Sequence, residues 1–160
     1  MSKFPITKYG FKKLEEELKS KYRERLKISE DISRAREFGD LSENAEYKAA
    51  QEKQFLHEIK IRNLEDKLAR ADIIDIKKLS GNSVKFGASV KLVDNDTEQE
   101  VIYRIVGEYE ADISKNLISI ASPIARALIT KKIGDIIEVV TPKGTKSYEL
   151  LDIKYIDFDV

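Results

Sequence analysis

The segment Ala35-Arg36-Glu37-Phe38-Gly39-Asp40-Leu41-Ser42-Glu43-Asn44-Ala45-Glu46-Tyr47 separates two long runs of helical periodicity and carries the residues that end one and begin the other. Gly39 stops the run before it, and Asp40 is a residue type that opens helices. Upstream, Thr7 is a capping residue, and Phe11, Leu14, Leu18, Tyr22 and Leu26 follow at steps of three and four, with Ile28, Ile32 and Ala35 continuing at helical spacing. Downstream, a second run starts between Ser42 and Ala45. It passes through Ala49, Leu56 and Ile59 and finishes with Ile61, Leu64, Leu68 and Ala71. Lys, Arg and Glu fill the intervals, the composition of helices that are mostly solvated. Two helices joined by a few residues run antiparallel, so the spacing predicts a helical hairpin with Asp40 near its tip. Each arm has roughly 28 residues, or about 40 Å of rise. An arm of that length has one seam to bury and no core around its far half, a shape that is costly unless it reaches something.

Beyond Ile73 the pattern changes to short runs rich in β-branched and aromatic residues: 89–93, 100–106, 117–120, 136–140 and 148–156. Asp94-Asn95-Asp96 and Thr141-Pro142-Lys143-Gly144 are turn sequences between them. Pro123 opens a short helical stretch to Ile129, with proline at its favoured first-turn position. The joint near Ile76 to Asn82 is polar, and we place the domain boundary there. The expected architecture is α+β in two domains: a coiled-coil hairpin over residues 1–76 and a compact sheet domain with one short helix over 77–160.

Composition narrows the function classes. The 160 residues carry 29 basic and 29 acidic side chains, so the chain has no net charge with which to coat nucleic acid by bulk attraction. Cysteine is absent and His57 is the single histidine, which excludes disulfides and thiolate or histidine-rich metal sites. Any metal would need oxygen ligands. The opening Met-Ser-Lys-Phe-Pro-Ile-Thr has no apolar signal core, and no stretch approaches the ~20 apolar residues of a membrane span; a cytoplasmic protein is expected. No Ser-His-Asp set, glycine-rich phosphate loop or calcium loop is present.

Asp40 and Glu43 stand three residues apart at the start of the second run. That spacing is a capping arrangement, with Asp40 accepting a backbone N–H and Glu43 reaching back. It also places two carboxylates on one face, where they can share a hard cation such as Mg²⁺. Spacing leaves both uses open, and two exposed carboxylates alone hold Mg²⁺ weakly, so a cation there would be shared with another protein.

The stretch from Ala35 to Tyr47 closely resembles the tip signature of the bacterial GreA-type transcript cleavage factors, the GreA/GreB family. The likeness extends through Pro5-Ile6-Thr7 with Gly10 and Leu14, and through Tyr103-Arg104-Ile105-Val106-Gly107, Asn116-Leu117-Ile118-Ser119-Ile120 and Ser122-Pro123-Ile124-Ala125-Arg126-Ala127-Leu128-Ile129. It implies a coiled coil that enters the secondary channel of RNA polymerase and a C-terminal FKBP-like domain, with an antiparallel sheet, that docks at the channel rim. The two acidic tip residues of the family carry over to Asp40 and Glu43. There they would help hold a Mg²⁺ shared with the polymerase, only in the complex, and activate its cleavage of backtracked RNA. The factor would then be an activator, with no stable cofactor and no autonomous enzyme activity. Its partners would be RNA polymerase, the 3′ end of the nascent RNA and the DNA-containing elongation complex, with no membrane, and the chain itself a monomer.

Arg34, Arg36, Lys48 and Lys53 are candidates for RNA contact, against the alternative of ordinary solvated helix charges. Gln51 and Gln54 stand where more cationic relatives carry charge, which favours the GreA branch over GreB. Tyr47 is read as packing between the arms, and His57 as a surface or seam residue. Ser122 and Pro123 are candidates for polymerase docking or, on local chemistry alone, a helix cap followed by a first-turn proline. Two other function classes stay open: a channel-binding regulator or antagonist that stimulates no cleavage, and a prolyl isomerase suggested only by fold resemblance.

Overall fold

The computed structural model describes residues 2–37 and 45–156. In chain order the elements are β1 (Phe4–Thr7), α1 (Lys8–Arg36), α2 (Ala45–Arg70), β2 (Ala71–Ile74), β3 (Ser89–Asp94), β4 (Glu100–Val106), β5 (Leu117–Ser119), α3 (Pro123–Leu128), β6 (Ile136–Thr141) and β7 (Gly144–Lys154). Single 3₁₀ turns lie at Ile76–Lys78 and Ile113–Lys115. The chain divides into two compact units, one built on Lys12–Arg70 and the other on Ser2–Phe11 together with Ala71–Val160. The division therefore falls at Arg70/Ala71, ahead of the polar joint chosen from sequence, and the first residues of the chain group with the sheet.

The first unit is an antiparallel helical pair. Tyr22 donates its hydroxyl hydrogen to Glu65 (3.2 Å), Arg25 meets Glu58, and Arg36 lies over the ring of Tyr47, so partners on α2 retreat as those on α1 advance. The Arg25–Glu58 pair is bidentate, Nε to Oε1 at 2.8 Å and Nη2 to Oε2 at 3.0 Å, the geometry in which a partly exposed ion pair contributes most. Buried or half-buried positions on α1 include Leu14, Leu18, Lys21, Arg25, Ile28, Ile32 and Ala35; on α2 they include Tyr47, Ala50, His57, Ile61, Leu64 and Leu68. Between these α1 positions, from Leu14 to Ala35, the steps alternate four and three, the heptad spacing of a coiled-coil seam. The expected stripe through Tyr22 and Leu26 is thus displaced by one residue. Leu26 is 68% exposed and Leu56 51%, while Lys21, Arg25 and His57 occupy the seam.

His57 is 6% exposed, and its Nε2 donates to the main-chain oxygen of Lys21 at 2.6 Å. Nδ1 lies 3.6 Å from the Glu24 carboxylate. The imidazole is a seam residue held to a fixed acceptor on the opposite helix.

In the second unit the five-stranded sheet has the order β5-β4-β3-β7-β6, antiparallel except for the parallel β4–β5 pair, and hence mixed. A bulge between Lys91 and Leu92 shifts the β3–β7 register. The core is Val84, Ala88, Val90, Leu92, Ile105, Ile118, Ile137, Val139 and Leu150, closed by Ala125 and Leu128 of α3. The predicted turn after Val93 forms around Asp94, whose carboxylate accepts N–H bonds from Asp96 (2.8 Å) and Thr97 (3.3 Å). The Asp96 amide is the main cause that holds the Asp94 carboxyl below its ordinary value.

A smaller parallel pair, β1 with β2, has the register Phe4↔Ala71 to Thr7↔Ile74. Ala71, which helical spacing assigns to the end of the second run, thus opens a strand instead, and four residues are too few for either strand to show alternation. Thr7 is fully buried and accepts the Gly10 N–H at 3.0 Å, the cap expected for α1. Its own hydroxyl and N–H donate to the carboxylate of Glu110, which also accepts the Gly107 N–H at 2.7 Å. One glutamate thereby satisfies three donors from two distant segments. Gly10 leaves room beside it, because a methyl on Gly10 would overlap the Glu110 carboxylate where it now lies.

Candidate functional site

The hairpin brings the ends of α1 and α2 to the same place, and the segment joining them contains both acidic candidates. Asp40 and Glu43 themselves lie outside the described residues. What the structure supplies is their flanks. The last turn of α1 carries Arg34 and Arg36, cations suited to a helix C-terminus, and the first turn of α2 carries Glu46, an anion suited to an N-terminus.

The four basic candidates differ in their engagements. The Arg34 guanidinium bonds to the Asp31 carboxylate one turn back on its own helix. Arg36 sits 5.7 Å from the Tyr47 ring centroid, a cation–π contact across the hairpin, and the Tyr47 hydroxyl accepts a hydrogen bond from Gln51 Nε2 at 2.9 Å. Tyr47 is half-buried and packs between the arms as expected. Lys48 and Lys53 are exposed, with no ion pair among the described residues. A shallow cleft beside Arg34 is lined by Asp31, Ala35, Glu37, Glu46 and Ala50, so three acidic residues share that cleft with one guanidinium. The structure thus gathers Arg34, Arg36 and Tyr47 near the hairpin end in mixed surroundings.

The other candidate pair begins α3. Ser122 Oγ accepts the Ala125 N–H at 3.3 Å and donates to the Ser119 carbonyl at 2.6 Å, a helix cap tied to the end of β5. Pro123 occupies the first helical turn and is exposed, so its ring is accessible to a partner while Ser122 is committed locally. Sequence reasoning missed Glu110 and the Arg25–Glu58 fork, neither of which has a local signal. Their partners are 103 and 33 residues away. Among the described residues no cluster of three His, Cys, Asp or Glu could hold a metal ion, and no helix is long and apolar enough to cross a membrane.

Known proteins resemble this chain along its length. The family described as "Transcription elongation factor, N-terminal" (GreA_GreB_N) matches residues 4–73, and "Transcription elongation factor, GreA/GreB, C-term" matches residues 79–155. A protein named transcription elongation factor GreA from Orientia tsutsugamushi (strain Ikeda) is 69% identical over 159 residues, covering 99% of this chain and 100% of the relative. Another of that name from Rickettsia typhi is 65% identical over 160 residues, covering 99% of each. Among solved structures, the GreA factor homolog 1 (Gfh1) protein of Thermus thermophilus aligns over 95% of this chain and 99% of its own, at 27% identity and a TM-score of 0.43. With both halves matched and full-length relatives at such identity, this chain belongs to the GreA/GreB family of transcription elongation factors.

Proposed function

We propose that the chain is a transcript cleavage factor that enters the secondary channel of RNA polymerase hairpin-first and stimulates the polymerase to cleave backtracked RNA. One observation carries this reading. Helices of 29 and 26 residues run antiparallel, and the segment that joins them contains Asp40 and Glu43. Arms of that length span about 40 Å, so a segment joining them would present two carboxylates that far from the other end of the helices. Leu26, Phe55 and Leu56, exposed by 68%, 61% and 51%, suit a shaft that meets protein walls.

The donor set fits a hard cation, since both side chains are carboxylates and Mg²⁺ is commonly held by one or two of these with waters and phosphate oxygens. Such an ion would supply charge neutralisation and an activated water at the scissile phosphate. The chain's own residues would present the Asp40 and Glu43 oxygens, orient the water by hydrogen bonding, and draw the displaced RNA end toward Lys48. Arg36 and Tyr47, stacked across the hairpin, would brace the tip against splaying. In the second unit, exposed Pro123 with Ser122 would dock on the polymerase, leaving catalysis to the polymerase.

Halted elongation complexes of the cognate polymerase should release short 3′ RNA fragments when the protein is added. Asp40→Asn or Glu43→Gln should lower that rate on the order of a hundredfold while retaining competition for polymerase binding. Unchanged cleavage by both variants would overturn the role of the acidic pair, and inhibited elongation without cleavage would identify a channel-binding regulator instead.

A further inference from the structure

The sheet of the second unit ends at β6, and that edge is open. The two-residue loop between Thr141 and Gly144 pairs those residues, and on the same side of β7 Leu150 exchanges bonds with Gly134 and Asp135. Main-chain groups alternate sides along an antiparallel strand. Ile137 and Val139 therefore bond to β7, whereas the N–H and C=O groups of Ile136, Glu138 and Val140 face outward. Among the described residues those groups have no partner.

Proteins usually blunt such an edge with proline, lysine, a bulge or very short length. Of such devices Ile136-Ile137-Glu138-Val139-Val140-Thr141 carries only the single charge of Glu138, with no proline, lysine or bulge, and it pairs with β7 in unbroken register; the opposite edge, β5, has only three residues. The outward side chains are also unusual for bare surface: Ile136 is 60% exposed and Val140 79%. Between them stands Glu138, and Glu149 lies opposite Ile136 on β7. Neither carboxylate has an ion pair among the described residues. The cleft between β6 and α3 is lined by Arg126, Thr130 and Lys131 together with Ile136, Ile137 and Glu138 of the strand itself.

We propose that this edge accepts an extended segment of a partner protein as a sixth strand. The segment has an apolar, acidic, basic, acidic, apolar sequence. Its apolar residues cover Ile136 and Val140, its basic residue meets Glu138, and its acidic residues face the Arg126 and Lys131 side. A second copy of this chain is the poorer occupant. Pairing β6 with itself about Glu138 covers the apolar positions but sets two glutamates directly opposite, which is destabilising.

The test is amide hydrogen exchange by NMR on the full chain, titrated with the capped peptide Gly-Ile-Asp-Arg-Asp-Val-Gly. The amides of Ile136, Glu138 and Val140 should slow by about tenfold or more at saturation, while those of Ile137 and Val139, already bonded to β7, stay unchanged. Glu138→Lys, an exposed substitution that leaves β6–β7 intact, should weaken the peptide about tenfold and favour a counterpart with glutamate at its centre. Three results would overturn the proposal: no slowing at millimolar peptide, affinity indifferent to the charge at 138, or slowing that follows the chain's own concentration without peptide.

Discussion

At single positions, stability in this chain depends on who shares a partner. Replacing a helical glycine by alanine ordinarily stabilises a helix by about 1 kcal/mol. Gly10 reverses that sign, because the added methyl would push aside a carboxylate already bonded to Thr7 and Gly107. Glu110 is a flexible side chain and could move, but only by surrendering those bonds and leaving a buried threonine hydroxyl without its acceptor. Gly10→Ala should therefore lower stability by about 1–3 kcal/mol, read as a fall in thermal midpoint. A rise in the midpoint would show that Glu110 moves without loss. Thr7 was legible from sequence as a cap because capping is local chemistry. Its bond to Glu110 was not, since nothing in a string of residues joins positions 103 apart. The same contrast separates Ser122, read correctly as a cap candidate, from Asp40 and Glu43, for which spacing by itself reads first as a cap and family resemblance alone favoured cation binding.

At the level of helices and strands, the hairpin was legible and its seam was not. The apolar residues Tyr22, Leu26, Leu56 and Ile59 lie at helical spacing, and that pattern drew the predicted stripe through them. The actual seam takes the heptad positions Lys21, Arg25 and His57, keeping step with Ile28 and Ile61 on either side. Hydrophobicity misled where polar side chains satisfy one another, as Arg25 does with Glu58 and His57 with the Lys21 carbonyl. A polar group at a seam position fixes register at some cost in stability. The Lys21 carbonyl also lies within a continuous helix, so removing the imidazole need not orphan it. His57→Leu should accordingly leave hairpin stability unchanged or raise it by about 1 kcal/mol, whereas His57→Ala should lower it by about 1–3 kcal/mol through the space it opens. Helical circular dichroism during thermal unfolding separates these outcomes; equal losses in both variants would show that the hydrogen bond, and not packing, holds the middle of the seam. The short strands β1 and β2 escaped notice for a different reason: each has only four residues.

Across the molecule, sequence located the change from helix to sheet but not the ownership of the first eleven residues. The polar joint at 76–82 resembles a domain linker, yet β2 precedes it and pairs with β1, and the 3₁₀ turn within it buries Ile76 to 1% exposure. In engineering terms, the sheet unit is a host domain and the helical hairpin an insertion within it, entering after Phe11 and leaving before Ala71. The two differ in how they can be excised. A fragment of residues 77–160 forfeits β1, β2 and the threonine that engages Glu110, and should show poorly dispersed amide resonances and a broad, early melt. A chain in which Ser2–Phe11 is spliced to Ala71–Val160 through a flexible linker of about ten residues retains all three and should unfold in one sharp transition. If both fragments melted alike, β1 would be dispensable to its host. If they differ as expected, the hairpin can be exchanged for arms of other lengths and tips of other sequence, making the sheet unit a reusable handle for whatever is grafted between positions 11 and 71.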